Sequence, residues 1–304
     1  MPAKPPPTPF HPRNRHQGRY DFTGLITACP QLREHVIEKV SGEPSIDFAD
    51  PAAVLIFNRA LLRFQYGIEH WNIPAGYLCP AIPGRADYLH GLADLLAAGN
   101  AGVVPRGLGV RVLDIGVGAN CVYPMLGNCE YGWQFVGSEV DPEALKSAQA
   151  IVDANPSLRS AVELRWQAHR GQIFAGLIQA GERFELSMCN PPFHASAAEA
   201  AAASQRKWRN LGKTAANSSA PALNFGGQDA ELWCTGGEAS FLKRMLKESV
   251  QYGRQVAWFS TLVSKSGRLA DLYKQLDKLK VLEVHTGEMA QGQKQSRWVA
   301  WRFF

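Results

Sequence analysis

From residue 110 onward, short β-rich runs alternate with helical ones, and this alternation constrains the fold more than any other feature of the sequence. The runs are VRVLDIG (110–116), QFVGSEV (134–140), VELRWQ (162–167), RFELSMCN (183–190), RQVAWFSTLV (254–263), KVLEVHTG (280–287) and SRWVAWRFF (296–304). Amphipathic stretches between most of them carry helix signals: Asp141 caps a helix opened by Pro142, and Leu269, Leu272, Tyr273, Leu276 and Leu279 share one face. The expectation is an α/β fold, a Rossmann-like, seven-stranded and mostly parallel sheet over 106–304. The last two strands close one edge as an antiparallel hairpin.

The preceding part reads differently. Between 19 and 105 the pattern is helical, with one helix running from the Asp50 cap and Pro51 to Gly67 and a second over RADYLHGLADLLAAG, ending at Gly99; no strand is expected before 110. Residues 1–18 are Pro-rich and are expected to form a flexible arm. Of the overall charge, 32 basic against 27 acidic residues, most of the excess lies in the first 20 residues, where Lys4, Arg13, Arg15 and Arg19 meet no acid. At 46% hydrophobic and 19% charged, the chain is not disordered throughout. Its six cysteines show neither metal-ligand spacing nor a disulfide framework, so no metal is expected and a reducing, cytoplasmic setting is. No apolar run suits a membrane span.

Three motifs carry chemistry. Gly116 and Gly118 end the first strand, where open α/β sheets bind ligands; a dinucleotide fingerprint needs a further glycine at 121, and Cys121 stands there, which disfavours a nicotinamide dehydrogenase. Glu139 ends the second strand, in the place of an acid that accepts hydrogen bonds from ribose hydroxyls. An adenosine cofactor without a pyrophosphate follows, which points to S-adenosyl-L-methionine. Third, Asn190-Pro191-Pro192-Phe193 follows the fourth strand: the prolines stiffen the backbone, the Asn amide oxygen and a carbonyl accept both hydrogens of a planar amino group, and Phe193 offers a stacking face. The interval 194–237 is a long insert, with Arg206, Lys207, Trp208 and Arg209 suited to single-stranded nucleic acid.

Taken in order, D-I-G-V-G, S-E-V-D and N-P-P-F look like the Rossmann-like N6-adenine methyltransferases. With HPRNRHQGRYDF, WNIPAGYLCPAIPGRADYLHGLADLL and LNFGGQDAELWCTGGE, the chain from His11 to Phe304 resembles the ribosomal RNA large subunit methyltransferase F family, related to eukaryotic methyltransferase-like RNA enzymes. The resemblance implies methyl transfer from S-adenosyl-L-methionine to the N6 amino group of one adenine of 23S ribosomal RNA, adenine 1618. It implies Asn190, Pro191, Pro192 and Phe193 as catalytic, and Arg85, Asp114, Gly116, Gly118, Glu139, Gln167 and Asn190 as cofactor-binding. Arg85 is matched to the methionine carboxylate and Gln167 to the adenine. His11, Arg13, Arg15, His16 and Arg19 are implied as RNA-contacting beside the 206–209 cluster, with ribosomal RNA the partner and no obligate protein partner. His70, His90, His169 and His285 read as structural, and His194 as lying just behind the catalytic loop. The alternatives are N6-adenine methylation of DNA or another RNA, N5 methylation of a protein glutamine, and a non-catalytic RNA-binding protein.

Overall fold

The computed structural model describes residues 10–192, 234–291 and 294–304. Phe193, His194 and the Arg206, Lys207, Trp208 and Arg209 cluster lie outside the described residues.

The N-terminal part contains α1 (Phe22–Ala28), a small antiparallel hairpin of β1 (Val36–Glu38) and β2 (Pro44–Ile46), α2 (Pro51–Tyr66) and α3 (Ile82–Ala98). The hairpin corrects the expectation of no strand before 110. In α2 the Asp50 carboxylate accepts the Ala52 N–H, Pro51 occupies a position where no N–H is needed, and Gly67 ends the helix at φ 64°. Helix α3 begins a turn earlier than expected, with Pro83 in its first turn, and Arg85 therefore sits inside the helix.

The sheet is formed by β3 (Arg111–Ile115), β4 (Gln134–Glu139), β5 (Val162–Trp166), β6 (Phe184–Cys189), β7 (Val256–Val263), β8 (Glu283–Gln291) and β9 (Lys294–Arg302), in the order β5-β4-β3-β6-β7-β9-β8. Neighbours from β5 through β7 pair in parallel, and β9 runs antiparallel to both β7 and β8. The hairpin strands extend to Gln291 and from Lys294, further toward each other than the sequence pattern suggests.

Helices α4 (Val122–Tyr131), α5 (Pro142–Ala154), the short α6 (Pro156–Arg159), α7 (Gly237–Tyr252) and α8 (Leu269–Lys278), with short 3-10 helices at Pro30–His35 and Ser266–Arg268, complete the described elements. Two apolar layers enclose the sheet. On one side Phe57, Leu61, Leu89 and Leu92 of the N-terminal helices form one cluster with Val112, Leu186, Trp258 and Trp298. Across the sheet, Leu113, Phe184, Phe259 and Trp301 pack with Met245 and Leu246 of α7 and Leu272 and Leu276 of α8. The helical N-terminal part thus shares a core with the sheet.

The segment read as a flexible arm is packed from Phe10 on. Asn14 and His16 are buried. Asn14 donates to Asp87, whose other partner is the His11 N–H at 3.0 Å, and His11 Nε2 meets Asp94 at 2.7 Å. Arg13 donates to Asp94, the His90 carbonyl and the Tyr131 hydroxyl, and Arg15 pairs with Glu130 at 2.6 Å. The segment carries no acid of its own, but α3 and α4 supply the acids it needs. That is the physical reason a basic stretch is ordered here.

Candidate active site

The order of strands reverses between β3 and β6, and at such a switch point the carboxyl ends diverge and leave a crevice. Register places the motifs there. Ile115 pairs with Ser138 on β4 and with Cys189 on β6, so one residue further on Gly116, Glu139 and Asn190 form the rim. A cleft of about 400 Å³ opens at this rim, lined by Arg85, Gly116, Gly118, Glu139, Gln167, Asn190 and Pro192 among others, a size suited to a cofactor-sized molecule.

Gly116 and Gly118 have φ of 75° and 65°, a left-handed backbone that favours glycine. The loop they make is clamped from β4: the N–H groups of Gly116 and Val117 both donate to the Ser138 carbonyl, and the Gly118 N–H donates to Glu139 Oε2 at 3.0 Å. Glu139 Oε1 accepts the N–H groups of Val140 and Asp141. Its carboxylate is therefore fixed in direction at the cleft rim. Cys121, where a dinucleotide fingerprint would have glycine, is buried and also takes a left-handed φ of 53°, opening α4.

Arg85 reaches the cleft from the first turn of α3, held by a bond of 2.9 Å to the Tyr123 hydroxyl and lying over that ring. Asp114, expected to bind the cofactor, is fully buried in β3 and is not among the residues that line the cleft; neither of its carboxyl oxygens has a partner among the described residues. Burial, reinforced by the charge of Glu139 and opposed by Arg85, pushes the Asp114 carboxyl up to about 8. The Asn190 amide oxygen is likewise buried without a partner among the described residues. A buried unpaired polar atom carries a cost that a ligand can relieve.

Gln167 lines the cleft, but its side chain is engaged locally, donating to the Ala175 carbonyl and accepting from the His169 N–H. Its side chain thereby helps fix the loop after β5. That loop is anchored from α7, where the Glu248 carboxylate accepts the N–H groups of Ile173, Phe174 and Ala175 at 2.9–3.2 Å. The sequence reading missed Arg170 of this loop, Tyr123, and Phe241 and Arg244 of α7, all of which line the cleft. Arg170 follows a strand end closely enough to have been found; Arg244 had no local signal.

The N-terminal cations lie elsewhere. His16 is buried with Nε2 2.9 Å from the Tyr66 hydroxyl, which removes it from any RNA contact in this conformation. His11, Arg13 and Arg15 are engaged as described, and Arg19, mostly exposed, pairs with Glu43. Burial holds His16 down to about 4 and His90 to about 3, so both rings are neutral near pH 7.

Comparison with known proteins agrees with this geometry. Residues 6–304 match a family described as RNA methyltransferase. The protein of Stutzerimonas stutzeri named ribosomal RNA large subunit methyltransferase F is 63% identical over 302 residues, covering 99% of this chain and 92% of its own. Its namesake in Pseudomonas putida F1 is 60% identical, covering 97% and 92%. Among solved structures, the human METTL16 catalytic domain in complex with a MAT2A 3′UTR hairpin is similar with a TM-score of 0.80 at 29% identity, covering 98% of this chain and 96% of that one. The METTL16 N-terminal domain in complex with SAH follows at 0.76 and 28%, covering 97% and 99%.

Proposed function

Because the chain belongs to the RNA methyltransferase family, we propose that it transfers a methyl group from S-adenosyl-L-methionine to the exocyclic nitrogen of an adenine in large-subunit ribosomal RNA. The observation that carries the reading is the buried amide oxygen of Asn190, without a partner among the described residues, where the Asn190-Pro191-Pro192 segment leaves β6 at the switch point of the sheet. The name carried by the relatives supports the ribosomal target, and the METTL16 complex with SAH supports the cofactor.

The residues of the cleft fit that cofactor. Arg85 suits its carboxylate through paired guanidinium hydrogen bonds, and Asp114, buried in β3 outside the lining and with no partner among the described residues, is assigned to its ammonium. Glu139 faces the ribose hydroxyls from the end of β4, while the loop at Gly116 and Gly118 lets the backbone approach closely. When bound, S-adenosyl-L-methionine supplies a methyl group already activated by a cationic sulfur. The chain's own work is orientation and water exclusion.

Asn190 Oδ1 and the Pro191 carbonyl each accept one N–H of the target amine. An adenine amine is planar because its lone pair is delocalised into the ring, and holding both hydrogens favours a pyramidal nitrogen with the lone pair available. No strong base is required for this. Phe193 gives the splayed base a stacking face, and a base must leave its stack to reach such a pocket.

Incubating the protein and labelled S-adenosyl-L-methionine with naked ribosomal RNA, ribosomal subunits, DNA and a protein fraction tests the acceptor class. Label in either ribosomal sample, mapping to adenine 1618, is the expected result. Label confined to DNA or protein overturns the proposal.

A further inference from the structure

Just before Asn190, the pairing of β6 with β7 ends. The register of β6 with β7 runs through Phe184–Val256 and Leu186–Trp258, and beyond it the link is made by side chains. Ser260 Oγ on β7 donates to the Ser187 carbonyl at 2.6 Å. With that hydroxyl proton committed, the bond of 2.7 Å between Ser260 Oγ and the Tyr88 hydroxyl must be donated by Tyr88. The Tyr88 oxygen in turn accepts the Cys189 N–H at 3.4 Å. The direction is single: Cys189 N–H to Tyr88 O–H to Ser260 O–H to Ser187 C=O. It begins at the backbone N–H of Cys189, the residue before Asn190.

We propose that Tyr88 and Ser260 are positioning residues for methyl transfer, their relay holding the carboxyl end of β6 so that Asn190 Oδ1 and the Pro191 carbonyl present at the correct place. This rests on the assignment of Asn190 and Pro191 as the groups that hold the target amine. Tyr88 is wholly buried, and burial raises its phenol well above the ordinary range, so it stays protonated and serves as donor and acceptor together. A phenylalanine would fill the same space, so packing alone does not call for the hydroxyl. Tyr88 also stands one helical turn beyond Arg85, and its ring meets the Tyr123 ring edge-on at 5.6 Å, the ring whose hydroxyl takes the Arg85 guanidinium. One face of α3 therefore supports both Arg85 at the cleft and the carboxyl end of β6 at Asn190.

The test uses the full chain, S-adenosyl-L-methionine and an unmodified large-subunit ribosomal RNA transcript, with Tyr88→Phe, Ser260→Ala, the double variant and Asn190→Ala side by side. The expected result is a kcat lowered on the order of 10- to 100-fold in Tyr88→Phe and Ser260→Ala, with KM for the cofactor unchanged within about twofold. The double variant should be no worse than the weaker single, as for groups acting as one unit. Should Ser260→Ala fail to fold, Tyr88→Phe, which keeps the ring, decides alone. The relay is overturned if Tyr88→Phe retains full kcat, or loses activity only in proportion to the folded fraction measured by circular dichroism, while Asn190→Ala is impaired. If Asn190→Ala also retains its rate, the amine-holding assignment falls and takes the relay with it.

Discussion

Between His11 and Arg19 each charged or ring side chain ends on a partner in the body of the protein, whereas toward the carboxyl edge of the sheet Asp114 and the Asn190 amide oxygen end on none among the described residues. Both regions are polar, and on charge alone the first looks more like a binding surface. The difference is in satisfaction. Arginines that have already found Asp94 and Glu130 must break those pairs before meeting a phosphate, while an orphaned carboxyl or amide oxygen gains a partner only from a ligand. The segment is adhesive, and the cleft is receptive.

The sharpest way to break this contrast is at Asn190. Replacing it by alanine removes one of two acceptors for the amine, and the methyl-transfer rate should fall roughly 10²–10³-fold, comparable to the loss of one transition-state donor elsewhere, with cofactor affinity nearly constant. A rate close to that of the parent would mean the orphaned oxygen has no catalytic partner. Arg85→Ala should cost on the order of 2–5 kcal/mol of cofactor binding, read by calorimetric titration, and excess cofactor should restore part of the rate. Unchanged affinity would return Arg85 to a role within the Tyr123 pair.

On the adhesive side, Asn14→Ala takes a donor from the Asp87 carboxylate, which burial already raises above its ordinary range, and should cost about 1–3 kcal/mol in urea unfolding while leaving turnover per folded molecule intact. A drop in RNA affinity at unchanged stability would instead make the segment part of the RNA surface. Removing residues 1–19 altogether should destabilise the body, because it unpairs Asp87, Asp94 and Glu130 at once.

A further effect concerns protons. An Asp carboxyl is titrated near 3.9 when unfolded, and Asp114 is held up to about 8 in the fold. Between those values the unfolded state has given up the proton and the folded state has kept it, so the unliganded protein should lose stability as pH rises through this window. Asp114→Asn should flatten that decline in thermal melts. A cofactor ammonium beside Asp114 favours its ionised form, so binding near pH 7 should release a proton, seen as a dependence of calorimetric enthalpy on buffer ionisation. Binding without proton release would separate Asp114 from the ammonium.

Much of the sheet was legible because each strand is a compact β-rich run bounded by glycine, proline or a cap, and Gly116, Glu139 and Asn190 are strand-end residues whose meeting follows from parallel topology. Two kinds of feature were not. The β1–β2 hairpin has strands of three residues, one beginning with Pro44, too short for an alternation to register. The order of the N-terminal segment depends on Asp87, Asp94 and Glu130, more than 70 residues away in sequence, and the loop holding Gln167 depends on Glu248 in the same way. Local composition reports charge but not the distant group that neutralises it.

The contrast between a satisfied segment and a receptive cleft is tested most directly by nucleoside analysis of unmodified large-subunit ribosomal RNA after reaction with labelled S-adenosyl-L-methionine, for the parent and Asn190→Ala in parallel. The expected result is label in N6-methyladenosine for the parent and its near absence for Asn190→Ala, although that variant binds the cofactor normally. Label in any other nucleoside, or equal N6-methyladenosine from both proteins, would contradict the assignment of the unpartnered Asn190 oxygen as the receptor for the adenine amine.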